Sequence, residues 1–192
     1  MSNEAMWAES FGDEYTVRND VKMDGRVKFF TELSNRYKFK RVLEVGCNIG
    51  TNLQHLGDSE KWGCDVNRKA LTILHSRHQH INAVCHSGYD IPFKDDFFDL
   101  VFTCGVLIHQ KPSEVERMMQ EIIRVSSHYV LAMEYGAPTF EEIPYRGNKE
   151  ALFKGPYGSV YEGRYGLRLV ETGFLGKEAG FDNVTTWLFS KT

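Results

Sequence analysis

The chain predicts an α/β fold, one domain on a mostly parallel sheet with helices on both faces. Three observations point there. Apolar runs of strand length alternate with stretches of helical periodicity along most of the 192 residues. A glycine-bearing turn, Glu44-Val45-Gly46-Cys47-Asn48-Ile49-Gly50, follows the first apolar run. A carboxylate, Asp65, stands 65 minus 46, that is 19, residues beyond Gly46, the span of one strand-helix-strand unit.

The elements follow in order. Residues 1–39 run polar and aromatic until Val27, Phe30, Leu33 and Tyr37 set a helical period. Arg41–Val45 is expected as the first strand, with a helix after the turn carrying Leu53 and Leu56 up to Gly57. Lys61–Asp65 reads as the second strand. Asn67 suits the N-cap of a helix bearing Ala70, Leu71 and Leu74, and Ile81–Cys85 reads as the third strand. The run Phe97–Thr103 has the composition of a strand covered on both faces. Pro112 marks a helix start, with Val115, Met118, Met119 and Ile122 on one face, before a fifth strand at Tyr129–Met133. From 137 to 166 the periodicity weakens into a Gly-, Tyr- and Pro-rich stretch, read as a substrate loop or lid. Leu167–Thr172, a short helix at Leu175–Ala179 and a last strand at Val184–Phe189 close the chain as a hairpin-like edge.

In such a sheet a ligand lies beyond the carboxyl ends of the strands. Glycines there let backbone approach a ligand, and Asn tolerates left-handed backbone at the middle position of the turn, so Glu44, Gly46, Asn48 and Gly50 are candidates for a ligand cradle. Asp65, at a strand tip, can accept both hydroxyls of a ribose. The third strand is followed by Ser87, Gly88 and Tyr89, suited to an adenine slot, and the fourth by Cys104, Gly105, Val106 and then His109. His109 titrates near neutrality and is a candidate general base; Glu134 and Tyr135, at the fifth tip, are rivals. Tyr145, Arg146 and Lys154 in the late loop could hold an acidic acceptor.

Composition narrows the class. With 42% hydrophobic residues the chain can bury one core, and a net charge of −3 without a Lys/Arg block gives no general attraction to nucleic acid. No run approaches a membrane span and the N-terminus lacks the order of a signal peptide, so a cytoplasmic protein is expected. Cys47, Cys64, Cys85 and Cys104 lack C-x-x-C spacing and read as buried or ligand-adjacent thiols. His75, His78, His80 and His86 complete no tetrahedral set, so no metal is expected.

The Glu44–Gly50 turn resembles the E/D-x-G-x-G-x-G loop of class I S-adenosylmethionine (SAM) methyltransferases, with Asn for the middle glycine. Ile91 to His109, I-P-F-K-D-D-F-F-D-L-V-F-T-C-G-V-L-I-H, looks like the middle of their small-molecule branch, and the likeness runs in register over about 40–136. Trp7–Asn19, Pro144–Gly147 and Leu152–Lys154 are similar to a narrower group, the methylases associated with pseudaminic acid biosynthesis; the chain departs from it at Gly155-Pro156-Tyr157-Gly158. The resemblance implies a Rossmann-like class I methyltransferase fold with seven strands, the last antiparallel. Residues 40–136 would be the SAM-binding core, 1–39 an N-terminal cap and helix, and 167–192 the closing strands. Tyr15 and Arg18 would close over SAM, and the methyl would pass to oxygen or nitrogen of a small polar acceptor, a sugar acid among them. Rival readings are a dehydrogenase, which lacks its G-x-G-x-x-G, a base methyltransferase, whose Asn/Asp-Pro-Pro-Tyr/Phe tetrad is replaced by Thr103-Cys104-Gly105-Val106, and a catalytically silent SAM-binding protein.

Overall fold

The computed structural model describes residues 2–19 and 24–191. Three helices come first, α1 (Asn3–Ala8), α2 (Ser10–Arg18) and α3 (Asp24–Tyr37). Strand β1 (Arg41–Val45), β2 (Glu60–Asp65), helix α4 (Arg68–Arg77), β3 (Ile81–Cys85), β4 (Phe98–Cys104), α5 (Val115–Val125) and β5 (Ser126–Glu134) follow. The rest is a short hairpin of β6 (Glu141–Glu142) and β7 (Phe153–Lys154), helix α6 (Tyr157–Gly163), β8 (Arg168–Leu175) and β9 (Val184–Ser190).

Seven strands form one sheet in the order β3-β2-β1-β4-β5-β9-β8, parallel from β3 to β5, with β9 antiparallel to both neighbours. This is the expected class I methyltransferase architecture. Strand order reverses between β1 and β4, which opens a crevice at their carboxyl ends. Side chains alternate between two cores. Leu43, Val45, Val101, Val130 and Ala132 face α5 and α6, while Val42, Phe102, Leu131 and Met133 face α3 and α4. Helix α5 buries Val115, Met118, Met119, Ile122 and Val125, the stripe that its periodicity announced.

Five elements differ from their sequence reading, among them the short helix expected at Leu175–Ala179, where β8 ends at Leu175 and only a 3-10 turn spans Lys177–Ala179. No helix follows the glycine turn; only a 3-10 turn spans Leu53–His55, because Gly57, at φ 52°, ends the segment before helix nucleation is repaid. In α3 the buried stripe is Phe30, Leu33 and Ser34, and Val27 is 40% exposed. The stretch from 137 to 166 is partly ordered core: α6 packs Tyr157 and Tyr161, both fully buried, under β5 and β9. Finally, β9 inserts between β5 and β8, so β8 and not the last strand forms the edge. Among the described residues no helix is long and apolar enough to cross a membrane.

Candidate active site

A cleft with about 1190 Å³ of empty space, its open mouth included, lies over the tips of β1, β2 and β4 and under α1 and α2. Its floor is the glycine turn. Gly46 has φ 73°, and a Cβ there would overlap the Val106 Cγ2 methyl. Gly50, at φ 78°, packs against Leu74 behind the turn and does not line the cleft. Asn48 has φ 47°; its Oδ1 accepts from Ile49 N, and its Nδ2 donates to Thr16 Oγ1 in α2 at 3.0 Å. The residue that replaces the middle glycine therefore ties the turn to the helical cap.

Asp65, at the end of β2, accepts the backbone N–H groups of Asn48 and Asn67, both at 2.8 Å, one on each oxygen. A carboxylate offers about four acceptor sites, so capacity for a pair of hydroxyls remains. Burial raises its pKa, and the backbone N–H bonds oppose that. Glu44, 2% exposed, accepts Asn52 Nδ2 at 2.5 Å on Oε1, while Oε2 has no partner; Arg26 Nη1 in turn donates to Asn52 Oδ1 at 2.8 Å. Burial pushes the Glu44 carboxyl up to about 8 against the lowering pull of Asn52 and Arg26.

The other wall comes from β3 and β4. Gly88 and Tyr89 line the cleft, while Ser87 stands outside it and shapes the turn by accepting Tyr89 N at 3.0 Å. Tyr89 donates its hydroxyl to Gln110 Oε1 at 2.5 Å, and Gln110 Nε2 donates to Val106 O. Cys104, Gly105 and Val106 line the cleft as expected. Cys85 is exposed, contrary to its reading as a buried or ligand-adjacent thiol.

His109 lines the cleft but is 7% exposed, with Nδ1 2.7 Å from Ala151 O. A carbonyl requires that nitrogen to carry the proton, which leaves Nε2 as an acceptor. Burial lowers its pKa to about 4, against the raising effect of Ala151. The ring is therefore a neutral acceptor at pH 7 and not a base poised near neutrality. The two rival bases lie elsewhere: Glu134 is fully buried and accepts Val106 N and Ile108 N, which anchors the loop after β4, and Tyr135 does not line the cleft. Burial lifts Glu134 to about 7 and Tyr135 to about 12.

Helices α1 and α2 roof the cleft. Asn3 Nδ2 donates to His109 O and Glu150 O at 2.9 and 2.7 Å, and Asn67 Nδ2 donates to Trp7 O and Asp13 Oδ1. Trp7 packs against His109, with ring centroids 4.5 Å apart, and edge-on against Phe11 and Tyr15. Tyr15 lines the cleft; Arg18 does not, being exposed at the end of α2 with its guanidinium 5.7 Å from the Tyr15 ring. The cleft cation is Arg26 from α3, held by Asn52 and by Gly180 O at 3.0 Å. Tyr145 touches His109, whereas Arg146 and Lys154 are exposed on the hairpin side and do not line the cleft.

Arg26, Asn52, Glu4, Trp7 and Gln110 are cleft residues that sequence reasoning did not single out. Trp7 alone fell within a quoted motif; the others carry no local signal, since tertiary packing brings them in.

Residues 42–128 match the family described as "Methyltransferase domain". No curated protein sequence matches the chain. Among solved structures, the chain is similar to the 1,6-didemethyltoxoflavin-N1-methyltransferase of Burkholderia thailandensis, with bound 1,6-didemethyltoxoflavin and S-adenosylhomocysteine, at 13% identity, covering 98% of this chain and 87% of that one with a TM-score of 0.76. It is also similar to the magnesium protoporphyrin IX methyltransferase of Synechocystis PCC 6803 with bound SAM, at 14% identity, 98% and 95% coverage and a TM-score of 0.73. A third likeness, to the [4+2]-cyclase SpnF, has 14% identity, 86% and 81% coverage and a TM-score of 0.64. Residues 42–128 are thus similar to the methyltransferase domain, and the chain as a whole has the fold of these class I methyltransferase structures.

Proposed function

We propose that this protein binds SAM in the cleft over β1, β2 and β4 and transfers its methyl group to oxygen or nitrogen of a small polar acceptor. One observation carries the reading. Glu4 Oε1, Trp7 Nε1, Glu44 Oε2 and His86 Nδ1 are buried polar atoms without a protein partner, and all four belong to residues lining this cleft. An unpaired buried polar group costs about 1–3 kcal/mol, so the cleft is built for a polar ligand that supplies the partners. The donor set suits a nucleoside that bears an amino acid. Asp65 has acceptor capacity for two hydroxyls, Gly46 leaves room for close approach, and Glu44 with Arg26 offers one acid and one base for an ammonium and a carboxylate.

SAM supplies an electrophilic methyl on a sulfonium with a good leaving group, so alignment of the acceptor carries much of the rate, up to about 7–11 kcal/mol in favourable cases. Trp7, Tyr15 and His109 wall the space beside the β4 tip, and Nε2 of His109 would orient the acceptor by taking its hydrogen bond. Glu134 would act by fixing the backbone from Val106 to Ile108, not by moving a proton. The narrower expectation of an anionic acceptor such as a sugar acid rests on Arg146 and Lys154, and an acidic group would have to extend past Tyr145 to reach them.

Calorimetric titration with SAM and S-adenosylhomocysteine tests the cofactor, with micromolar-scale binding expected. Incubation with SAM and a panel of sugar acids, amines and phenols, read as released S-adenosylhomocysteine, tests the transfer. Binding of a nicotinamide dinucleotide with no heat from either sulfur ligand would overturn the reading. Binding of SAM with no acceptor turned over by any extract fraction would favour the silent binder.

A further inference from the structure

Trp7, Phe11 and Tyr15 recur at a spacing of four, the interval that gathers side chains on one face of a helical segment. The chain breaks between α1 and α2, yet the rings stay together: Phe11 and Tyr15 each stand edge-on to Trp7 with centroids 5.1 Å apart. His109 adds a ring from the loop after β4, 4.5 Å from Trp7 and tilted by 55°. Tyr145 adds one from the β6–β7 loop, 5.1 Å from His109 and 5.9 Å from Phe11. These contacts close a circuit of rings, and Trp7, Tyr15 and His109 are the members that line the cleft.

The backbone fixes this wall in place. Trp7 O accepts Asn67 Nδ2 at 3.1 Å, His109 N donates to Val106 O at 3.0 Å, and His109 O accepts Asn3 Nδ2 at 2.9 Å. Two polar groups of the wall are open. Trp7 Nε1, which can only donate, is shielded from solvent and has no partner. His109 Nδ1 is engaged by Ala151 O at 2.7 Å, so its Nε2 is left as an acceptor. Although the two rings touch, indole and imidazole do not bond each other, and each is open to a ligand. No free cation accompanies them: among the described residues that line the cleft, Arg26 is the one lysine or arginine, and the cofactor reading commits it to the carboxylate of SAM.

We propose that the methyl acceptor is a flat, uncharged heteroaromatic ring with an N–H or O–H next to a ring nitrogen or carbonyl, the N–H or O–H resting on His109 Nε2 and the neighbouring acceptor atom on Trp7 Nε1. The inference rests on the methyl-transfer reading above and narrows it to a substrate class. Aromatic walls favour a flat ring through offset or edge-on contact, and a polar edge on that ring pairs the indole N–H that is otherwise buried alone. A sugar acid fits poorly. Its several hydroxyls and its carboxylate need more partners than one donor and one acceptor, and Arg146 and Lys154 lie outside the cleft. In the transfer, the heteroatom's lone pair bonds the methyl carbon as the carbon–sulfur bond breaks onto sulfur, and the heteroatom's proton leaves to water.

The test titrates protein saturated with S-adenosylhomocysteine, by calorimetry, with 2-hydroxyquinoline, with 2-naphthol, which lacks the ring nitrogen, and with glucuronate. Wild type is expected to bind 2-hydroxyquinoline at least about tenfold more tightly than glucuronate and roughly threefold to tenfold more tightly than 2-naphthol, the range for one neutral hydrogen bond. Trp7→Phe, which keeps a ring and removes the donor, should bring the two flat probes to within about twofold of each other, with thermal unfolding as the control for folding. Glucuronate bound as tightly as 2-hydroxyquinoline, no heat from either flat probe, or a folded Trp7→Phe that keeps the ratio would each overturn the proposal while binding of S-adenosylhomocysteine stands. The wild-type comparison decides the class on its own if Trp7→Phe does not fold. No binding of S-adenosylhomocysteine by wild type removes the cofactor reading and the proposal together.

Discussion

Titration of S-adenosylhomocysteine into the protein at pH 7 should release close to one proton, and Glu44 should be its source. Burial holds that carboxyl at about 8, so about nine in ten molecules carry the proton at pH 7. Its Oε2 is unpartnered, and a ligand ammonium is the cation that would pair with it. An opposite charge within about 4–6 Å lowers a carboxyl by about 1–3 units, enough to bring Glu44 to roughly 5 and ionise it. About 0.9 proton then leaves on binding. The sign follows: the complex holds the carboxylate and the free protein holds the acid, so affinity rises with pH by up to tenfold per unit between roughly pH 5 and 8, then levels off. Calorimetry in buffers of different ionisation enthalpy reads the proton count directly. Asp65 is also raised by burial and could add to the count, so Glu44→Gln isolates the source; its amide oxygen can still accept Asn52 Nδ2. Release that persists undiminished in Glu44→Gln, or release below about 0.3 proton in wild type, would refute the assignment.

Further outcomes follow from the same geometry. Asp65→Asn should weaken S-adenosylhomocysteine binding by about a hundredfold, the equivalent of about 3 kcal/mol for two charge-assisted hydrogen bonds, with the melting temperature separating this from loss of its bonds to Asn48 N and Asn67 N. Gly46→Ala, at φ 73° and against Val106 Cγ2, should cost about 1–3 kcal/mol in denaturant unfolding, and Gly46→Ala with Val106→Ala should recover only the packing part. Once an acceptor is known, kcat should stay level from pH 7 to 5 on account of His109, whose pKa is about 4, while KM for SAM climbs through Glu44; a limb in kcat near 6.5 that Glu44→Gln leaves in place would contradict the neutral-acceptor role. Asn48→Gly should change global stability by less than about 1 kcal/mol, since relief of φ 47° offsets the lost bond to Thr16, yet hydrogen exchange in α2 should speed up severalfold.

What the sequence discloses here tracks how local each requirement is. Strands β1 and β3 fall where their apolar runs place them: Val42 to Val45 of the central strand β1 are buried on both faces, while at the edge strand β3 only Ile81 is buried and the flanking polar turns set the bounds. The backbone half of the site is legible because it is local: the turn after β1 needs left-handed backbone at alternate positions, Gly46, Asn48 and Gly50, and a strand-tip carboxylate follows one strand-loop-strand unit later. Helix α6 was hidden because Tyr157 and Tyr161 lie among glycines and a proline, and only the face of β5 and β9 shows that they are core. Arg18 against Arg26 is the same lesson at the site. Both are basic residues ahead of β1, and which one meets the cleft is decided by where α2 ends and α3 packs, which no spacing rule encodes.

Asn48 joins the two kinds of information. By backbone criteria it is a mild stand-in for glycine, and glycine would hold φ 47° with less strain. Its side chain, however, closes the turn through Ile49 N and reaches Thr16, a fully buried residue of α2. The same loop whose N–H meets Asp65 is thereby bonded to the roof that brings Tyr15 over the cleft. A ligand that orders the turn would then also order the cap, because the Asn48–Thr16 bond joins the Asp65 end of the cleft to its roof.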